Sequence, residues 1–153
     1  MIRSIALVGM FTLVLALTGC VNFPKKPSDL SVDQYNNSEQ CFDQNESIVY
    51  AKVRKYFYQC IFGFSGRSQF ITEEEAKEIG TSNTGTFLLV ESDRSGSKNI
   101  SVLTSSGYSL NMNVSKNNNC EANLKMYAVN TPWSRYFKKV DSYIRTDIIS
   151  CPL

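Results

Sequence analysis

The chain has 153 residues, of which 16 are basic and 14 acidic, so its formal net charge is only +2. This balance lacks the basic excess that is typical of nucleic-acid-binding proteins. The chain contains no histidine, which removes the commonest metal ligand and the usual general base near neutral pH. A Ser-His or Cys-His nucleophile is therefore excluded within this chain, and we expect no catalytic residue, no metal and no cofactor.

The N-terminus has the pattern of a bacterial lipoprotein signal. One basic residue, Arg3, precedes the nearly apolar residues 5–17. That stretch matches the length of a secretory signal and is shorter than the roughly 20 residues that span a bilayer. It ends in Leu17-Thr18-Gly19-Cys20, which resembles the lipobox of bacterial lipoproteins, where the cysteine is lipidated and the chain is cut before it. The alternative is an ordinary secretory signal that is cleaved, in which Cys20 lies near the cleavage site by chance and is not lipidated.

Lipidation of Cys20 predicts where the protein lies. Three acyl chains exceed the two lipid signals that stable membrane anchoring requires. Residue 21 is valine and not aspartate, so by resemblance to enterobacterial sorting we expect the outer membrane, with the domain facing the periplasm. Residues 1–19 are then the signal peptide. Residues 20–40, rich in proline and polar residues, are interpreted as a lipidated flexible tether, and residues 41–153 as one domain.

Four further cysteines remain: Cys41, Cys60, Cys120 and Cys151. An even number in an oxidising compartment predicts two disulfides, whereas a zinc site lacks the usual CxxC spacing. Cys41–Cys60 is disfavoured, because the helix predicted before Cys60 would separate the two sulfurs by about 20 Å. Of the other pairings, we favour Cys60–Cys120 with Cys41–Cys151 over Cys41–Cys120 with Cys60–Cys151.

The first half of the domain predicts one long helix and one short helix. Residues 45–61 begin with Asn45 as N-cap and repeat apolar residues at helical spacing. Residues 62–66 are interpreted as a flexible aromatic turn and residues 68–71 as a short strand. Thr72 and Glu75 have capping-box spacing, and Gly80 ends that helix. Three adjacent glutamates at 73–75 raise the alternative of a calcium site, but acidic residues are ordinary in a first helical turn.

The second half predicts an antiparallel meander followed by a helix. Strands are expected at residues 86–91, 99–104, 108–115 and from Cys120 onward, separated by two glycine turns and then by the asparagine run at residues 117–119. Alternation along residues 108–115 places Tyr108 on the same face as Leu110, with a polar face in water. Thr131 and Pro132 begin the last helix, whose apolar stripe is predicted to consist of Trp133, Phe137, Val140, Tyr143 and Ile144. The fold class is therefore α+β: an N-terminal helix, a four- to five-stranded sheet, and a C-terminal helix on one face of the sheet.

Several of these positions together resemble a group of small, uncharacterised proteobacterial lipoproteins. The resemblance spans about 110 residues and implies the two disulfides and the helix–sheet–helix order. It implies no activity. The matching positions are Cys41-Phe42, Cys60, Ser106-Gly107-Tyr108, Cys120, Tyr127, Asn130, Trp133, Phe137 and Cys151-Pro152.

We consider three functions for a domain of this fold class and location. The favoured hypothesis is a non-catalytic binding or scaffolding module of the cell envelope, attached to the membrane through its lipid, with an envelope protein or peptide as partner. The alternative is an inhibitor or immunity protein against a periplasmic hydrolase, since small lysozyme inhibitors resemble this chain in size and in a Ser-Gly-Tyr loop. An enzyme using paired carboxylates ranks third. The candidate binding residues are Phe62, Phe64 and Tyr108, which lie beside glycines.

Overall fold

The computed structural model describes residues 23–32, 35–65, 69–80 and 87–152. The predicted signal peptide and Cys20 lie outside the described residues. Within these ranges a 3-10 helix comes first, and six strands and three α-helices follow it. The 3-10 helix is Pro27–Ser31; the strands are β1 Asn36–Phe42, β2 Gln69–Thr72, β3 Leu88–Arg94, β4 Ser97–Thr104, β5 Gly107–Asn117 and β6 Cys120–Ala128; the helices are α1 Glu46–Ser65, α2 Glu73–Ile79 and α3 Thr131–Thr146.

All six strands form one sheet in the order β1-β6-β5-β4-β3-β2. The four strands β3 to β6 are the predicted antiparallel meander. β2 runs parallel to β3, because α2 returns the chain to the same end of the sheet. The α+β class is confirmed, with six strands where four or five were expected and with one parallel pair.

The sixth strand is β1, which lies in part of the predicted tether. Residues 36–40 were expected to be flexible, but β1 pairs with β6 along seven consecutive residues. Its sequence is polar and mostly exposed, because it is an edge strand with little apolar surface to bury. Without an alternating apolar pattern, the sequence carries no signal that predicts this strand.

α1 and α3 pack on one face of the sheet, which we call the inner face. The apolar stripes predicted for both helices are confirmed: Val49, Val53, Tyr56, Phe57 and Cys60 of α1 and Phe137, Val140, Tyr143 and Ile144 of α3 are buried. α1 continues to Ser65, so residues 62–65 of the predicted aromatic turn at 62–66 are helix, and residue 66 lies outside the described residues. α3 is capped one residue earlier than expected, because the side chain of Asn130 accepts a hydrogen bond from the backbone N–H of Trp133.

The two disulfides join Cys41 to Cys120 and Cys60 to Cys151. Cys41–Cys60 is absent, as expected, but the preferred pairing of the other cysteines was wrong. The cause is β1: its pairing with β6 brings Cys41 beside the start of β6, where Cys120 lies. The tail after α3 then returns along α1, where the hydroxyl of Tyr56 donates a hydrogen bond to the carbonyl of Ser150 at 2.9 Å. That contact places Cys151 against the C-terminal half of α1.

A β-bulge separates Tyr108 from the rest of its strand. Leu110 pairs with Val102 and Tyr108 pairs with Leu103, so Ser109 is an extra residue in β5. Tyr108 therefore lies on the opposite, outer face, in a second core with Leu30, Val90 and Val129. The prediction that Tyr108 shares a face with Leu110 was wrong, because simple alternation assumes an unbroken ladder.

Candidate binding groove

The outer face of the sheet carries an ordered array of polar side chains. Because the strands pair in register, the residues of this face form three rows that cross the sheet from β1 to β3, and all of them are polar except Val90 and the disulfide-bonded Cys41. The first row is Glu39, Lys125, Asn113, Asn99 and Ser92; the second is Asn37, Tyr127, Asn111, Ser101 and Val90; the third is Cys41, Asn123, Ser115, Ser97 and Arg94.

The 3-10 helix turns this array into a groove. Its residues Pro27, Ser28 and Ser31 form one wall, and the sheet forms the floor, enclosing about 260 Å³. The helix is held in place by Leu30, which is fully buried in the outer core. The chain before β1 thus covers one part of the outer face and leaves the neighbouring part open.

Two asparagines on the floor of the groove are almost completely buried. Asn99 is 8% exposed and Asn111 is 6% exposed. The carbonyl oxygen of Asn99 accepts a hydrogen bond from Asn113 at 2.8 Å, and that of Asn111 accepts one from the hydroxyl of Ser101 at 3.0 Å. Among the described residues, none accepts a hydrogen bond from the amide nitrogen of Asn99 or Asn111. Both asparagines line the groove, and neither amide nitrogen is a fully buried atom without a partner, so the two donors reach the solvent of the groove and are available to a ligand there.

The cations that line the groove are already paired with carboxylates. Arg94 binds both carboxylate oxygens of Glu73. The amine of Lys125 lies 3.5 Å from Glu39, which also accepts a hydrogen bond from Asn123 at 2.7 Å. An anionic ligand would therefore compete with two carboxylates of the protein itself. The groove is polar but close to neutral.

A second hollow lies on the other side of the molecule and is aromatic. Ile61, Phe87, Pro132, Trp133, Tyr136 and Pro152 line about 370 Å³. Trp133 stacks on Tyr136 with ring centroids 5.7 Å apart, and Phe87 meets Trp133 edge-on at 5.8 Å. Trp133 is half-buried, so one part of its ring packs in the core and the rest faces this hollow.

The structure brings none of the predicted binding residues into the groove. Phe62 and Phe64 lie in the last turn of α1, and their side chains fall outside the described residues. Tyr108 is only 5% exposed, and burial, together with the nearby Glu73 carboxylate, raises the pKa of its phenol. Tyr108 therefore packs in the outer core and is not available to a partner.

The groove residues were missed because the sequence presents them as an ordinary solvated face. Asparagine is depleted in β-strands, yet Asn99, Asn111 and Asn113 all lie in adjacent strands. That excess is the one sequence signal that points to them. Their burial depends on the 3-10 helix, which sequence patterning does not place.

Comparison of the chain with protein-family models, with curated proteins and with solved structures gives no match. The resemblance to small lipoproteins stays a prediction. Within the described ranges, no group of three or more potential metal ligands is found, and no helix combines the length and hydropathy needed to cross a membrane.

Proposed function

We propose that this protein is a lipid-anchored, non-catalytic binding module of the cell envelope, whose groove binds a neutral saccharide. The observation that carries the proposal is the pair of side-chain amides of Asn99 and Asn111, whose N–H groups face the groove and donate to no described residue. Each hydrogen bond that a ligand accepts from these amides contributes about 0.5–1.5 kcal/mol to binding.

The chemistry of the groove favours a polyhydroxylated ligand over a charged one. Asparagine amides and serine hydroxyls offer donors and acceptors side by side, and sugar hydroxyls present the same alternation. Arg94 and Lys125 are already neutralised, which disfavours phosphates and carboxylates. Since the groove lies on the face of the sheet, its floor offers side chains and no free backbone edge for an added peptide strand. Its volume suits one small ring better than a long chain.

Substitution of the floor asparagines tests this proposal. We expect Asn99→Leu and Asn111→Leu each to weaken saccharide binding by about tenfold, because one lost hydrogen bond costs about 1–1.5 kcal/mol. Binding is measured by calorimetry on sugars selected from a glycan array. Asn118→Leu, in the β5–β6 turn, is the matched control and should bind like the unchanged protein. If the unchanged domain binds no sugar on the array, the saccharide proposal fails.

The anchor is tested separately. We expect Cys20→Ser to leave an uncut precursor that carries no label from a radioactive fatty acid, because the thiol is the atom that is acylated. The measurement is a gel of labelled cells compared with an immunoblot of the same samples. Unchanged labelling of the variant would contradict the anchor but would leave the groove proposal intact.

The alternative of a hydrolase inhibitor has less support. It relied on the Ser106-Gly107-Tyr108 loop, and the side chain of Tyr108 is buried in the outer core. No other described feature favours it over a binding module.

A further inference from the structure

The start of the described chain is held against the β4–β5 turn. The backbone N–H of Tyr108 donates a hydrogen bond to the carbonyl of Pro24 at 2.9 Å. Pro24 is buried, and Phe23 packs against the outer core that contains Leu103 and Tyr108. The segment at residues 23–24 is therefore part of the folded domain.

Gly107 makes this contact possible. Its φ of +139° is a conformation that side chains rarely adopt, and a Cβ atom there would lie 2.6 Å from the carbonyl oxygen of Pro24 and 2.9 Å from the Cβ of Phe23. Any larger residue would have to displace residues 23–24. The Ser-Gly-Tyr sequence thus forms the surface on which the N-terminal segment lies.

This contact limits how far the domain can lie from its anchor. Only two residues, Val21 and Asn22, lie between Cys20 and Phe23, and the three Cα–Cα steps from Cys20 to Phe23 span at most about 10 Å even when fully extended. A lipid on Cys20 would therefore hold the β4–β5 turn close to the membrane surface. The remaining residues of the predicted tether, from Phe23 onward, provide no further separation.

The aromatic hollow lies at this same end of the molecule. Phe87 immediately precedes β3, whose first residue pairs with Leu103 beside the turn. Trp133 packs against the core that contains Tyr108. Trp and Tyr rings favour the interface between lipid and water, because each has an apolar body and a polar tip.

We propose that this end of the domain, consisting of Phe23, the β4–β5 turn and the aromatic hollow, rests on the lipid headgroups of the membrane that holds Cys20. The inference rests on the proposed lipid anchor and adds an orientation to it. The domain would not swing freely. The opposite end, at the β5–β6 turn, would point away from the membrane by about the length of β5, which is roughly 33 Å at 3.3 Å per residue.

The single tryptophan of the chain offers a direct test. The lipidated protein is reconstituted in vesicles that contain dansyl-labelled headgroups, and energy transfer from Trp133 is measured. A double variant, Trp133→Phe with Asn118→Trp, moves the only donor to the β5–β6 turn. We expect severalfold stronger transfer from Trp133 than from the relocated tryptophan. Equal transfer from both positions would overturn the proposed orientation.

Two further variants show whether the short connection between Cys20 and Phe23 causes the orientation. A flexible insert of glycine and serine after Val21 lengthens the connection without touching the folded domain, and Gly107→Val displaces residues 23–24. In both, we expect transfer from Trp133 to fall toward that of the relocated donor. Unchanged transfer from Trp133 in the lengthened protein would mean that the connection does not set the orientation.

Cosedimentation with the vesicles tests the lipid anchor itself. A protein that stays in the supernatant contradicts the anchor and, with it, the proposed orientation. The groove proposal does not depend on this result.

Discussion

Replacing Phe57 with alanine is expected to lower the free energy of unfolding by about 3–5 kcal/mol. The Phe57 ring is fully buried between the helices and the sheet. It contacts Tyr56 edge-on at 6.2 Å and stacks on Tyr136 at 6.3 Å, and such pairs add about 0.5–1.5 kcal/mol to the area that is buried. Its loss leaves a cavity that the disulfide-linked helix cannot easily close.

The next residue along the chain is the matched control. Tyr58 lies on the solvent side of the same helix, is 50% exposed and stacks on Phe70 at 6.4 Å, so Tyr58→Ala should cost about 1 kcal/mol, well below the loss at Phe57. Both values are obtained from urea unfolding followed by far-UV circular dichroism. Similar losses for the two variants would mean that the face of α1 that packs on the sheet has been assigned incorrectly.

Removing the Cys60–Cys151 disulfide is expected to destabilise the domain by about 2–5 kcal/mol. The bridge closes a loop with a sequence separation of 91 residues, so the unfolded chain gains much freedom when it is absent. The tail beyond α3 would then be held by few contacts, including the hydrogen bonds from Tyr56 and Lys139 to Ser150. The measurement is denaturant unfolding of the double variant Cys60→Ala with Cys151→Ala.

The Cys41–Cys120 disulfide provides a comparison for the size of this stability loss. Cys41–Cys120 closes a loop of similar size, with a separation of 79 residues, so unfolded-state entropy alone predicts nearly the same loss for Cys41→Ala with Cys120→Ala. The two double variants should therefore differ by less than about 1 kcal/mol on that basis. A non-reducing peptide map that joins Cys60 to Cys120 would contradict both the pairing and this expectation.

Most of the fold could be predicted from local patterns. The stripe of α3 from Phe137 to Ile144, the glycine turns and the β3 to β6 strands all appear in the structure near their expected positions. These predictions agree with the structure because each feature depends on neighbouring residues: a stripe, a cap or a turn is complete within one segment. The capping box of Thr72 and Glu75 is present for the same reason.

The candidate site could not be predicted in this way. Asn99 and Asn111 belong to different strands, and nothing within either strand shows that both side chains line one groove. Their environment depends on the register between β4 and β5 and on a 3-10 helix far away in the chain. The predicted face of Tyr108 was wrong for a related reason. The extra residue Ser109 interrupts the pairing of β4 with β5 and moves the Tyr108 ring to the other face of the sheet.

The amino-acid sequence alone was enough to establish an α+β domain, two disulfides and the exclusion of histidine chemistry, because composition and short-range periodicity carry that information. Only the tertiary structure shows which cysteines pair, where the polar groove forms and how the N-terminal segment lies on Gly107. Each of these depends on contacts between distant residues: β1 beside β6, the 3-10 helix over the sheet, and Pro24 against the β4–β5 turn. Such contacts follow from packing in three dimensions, which no single segment encodes.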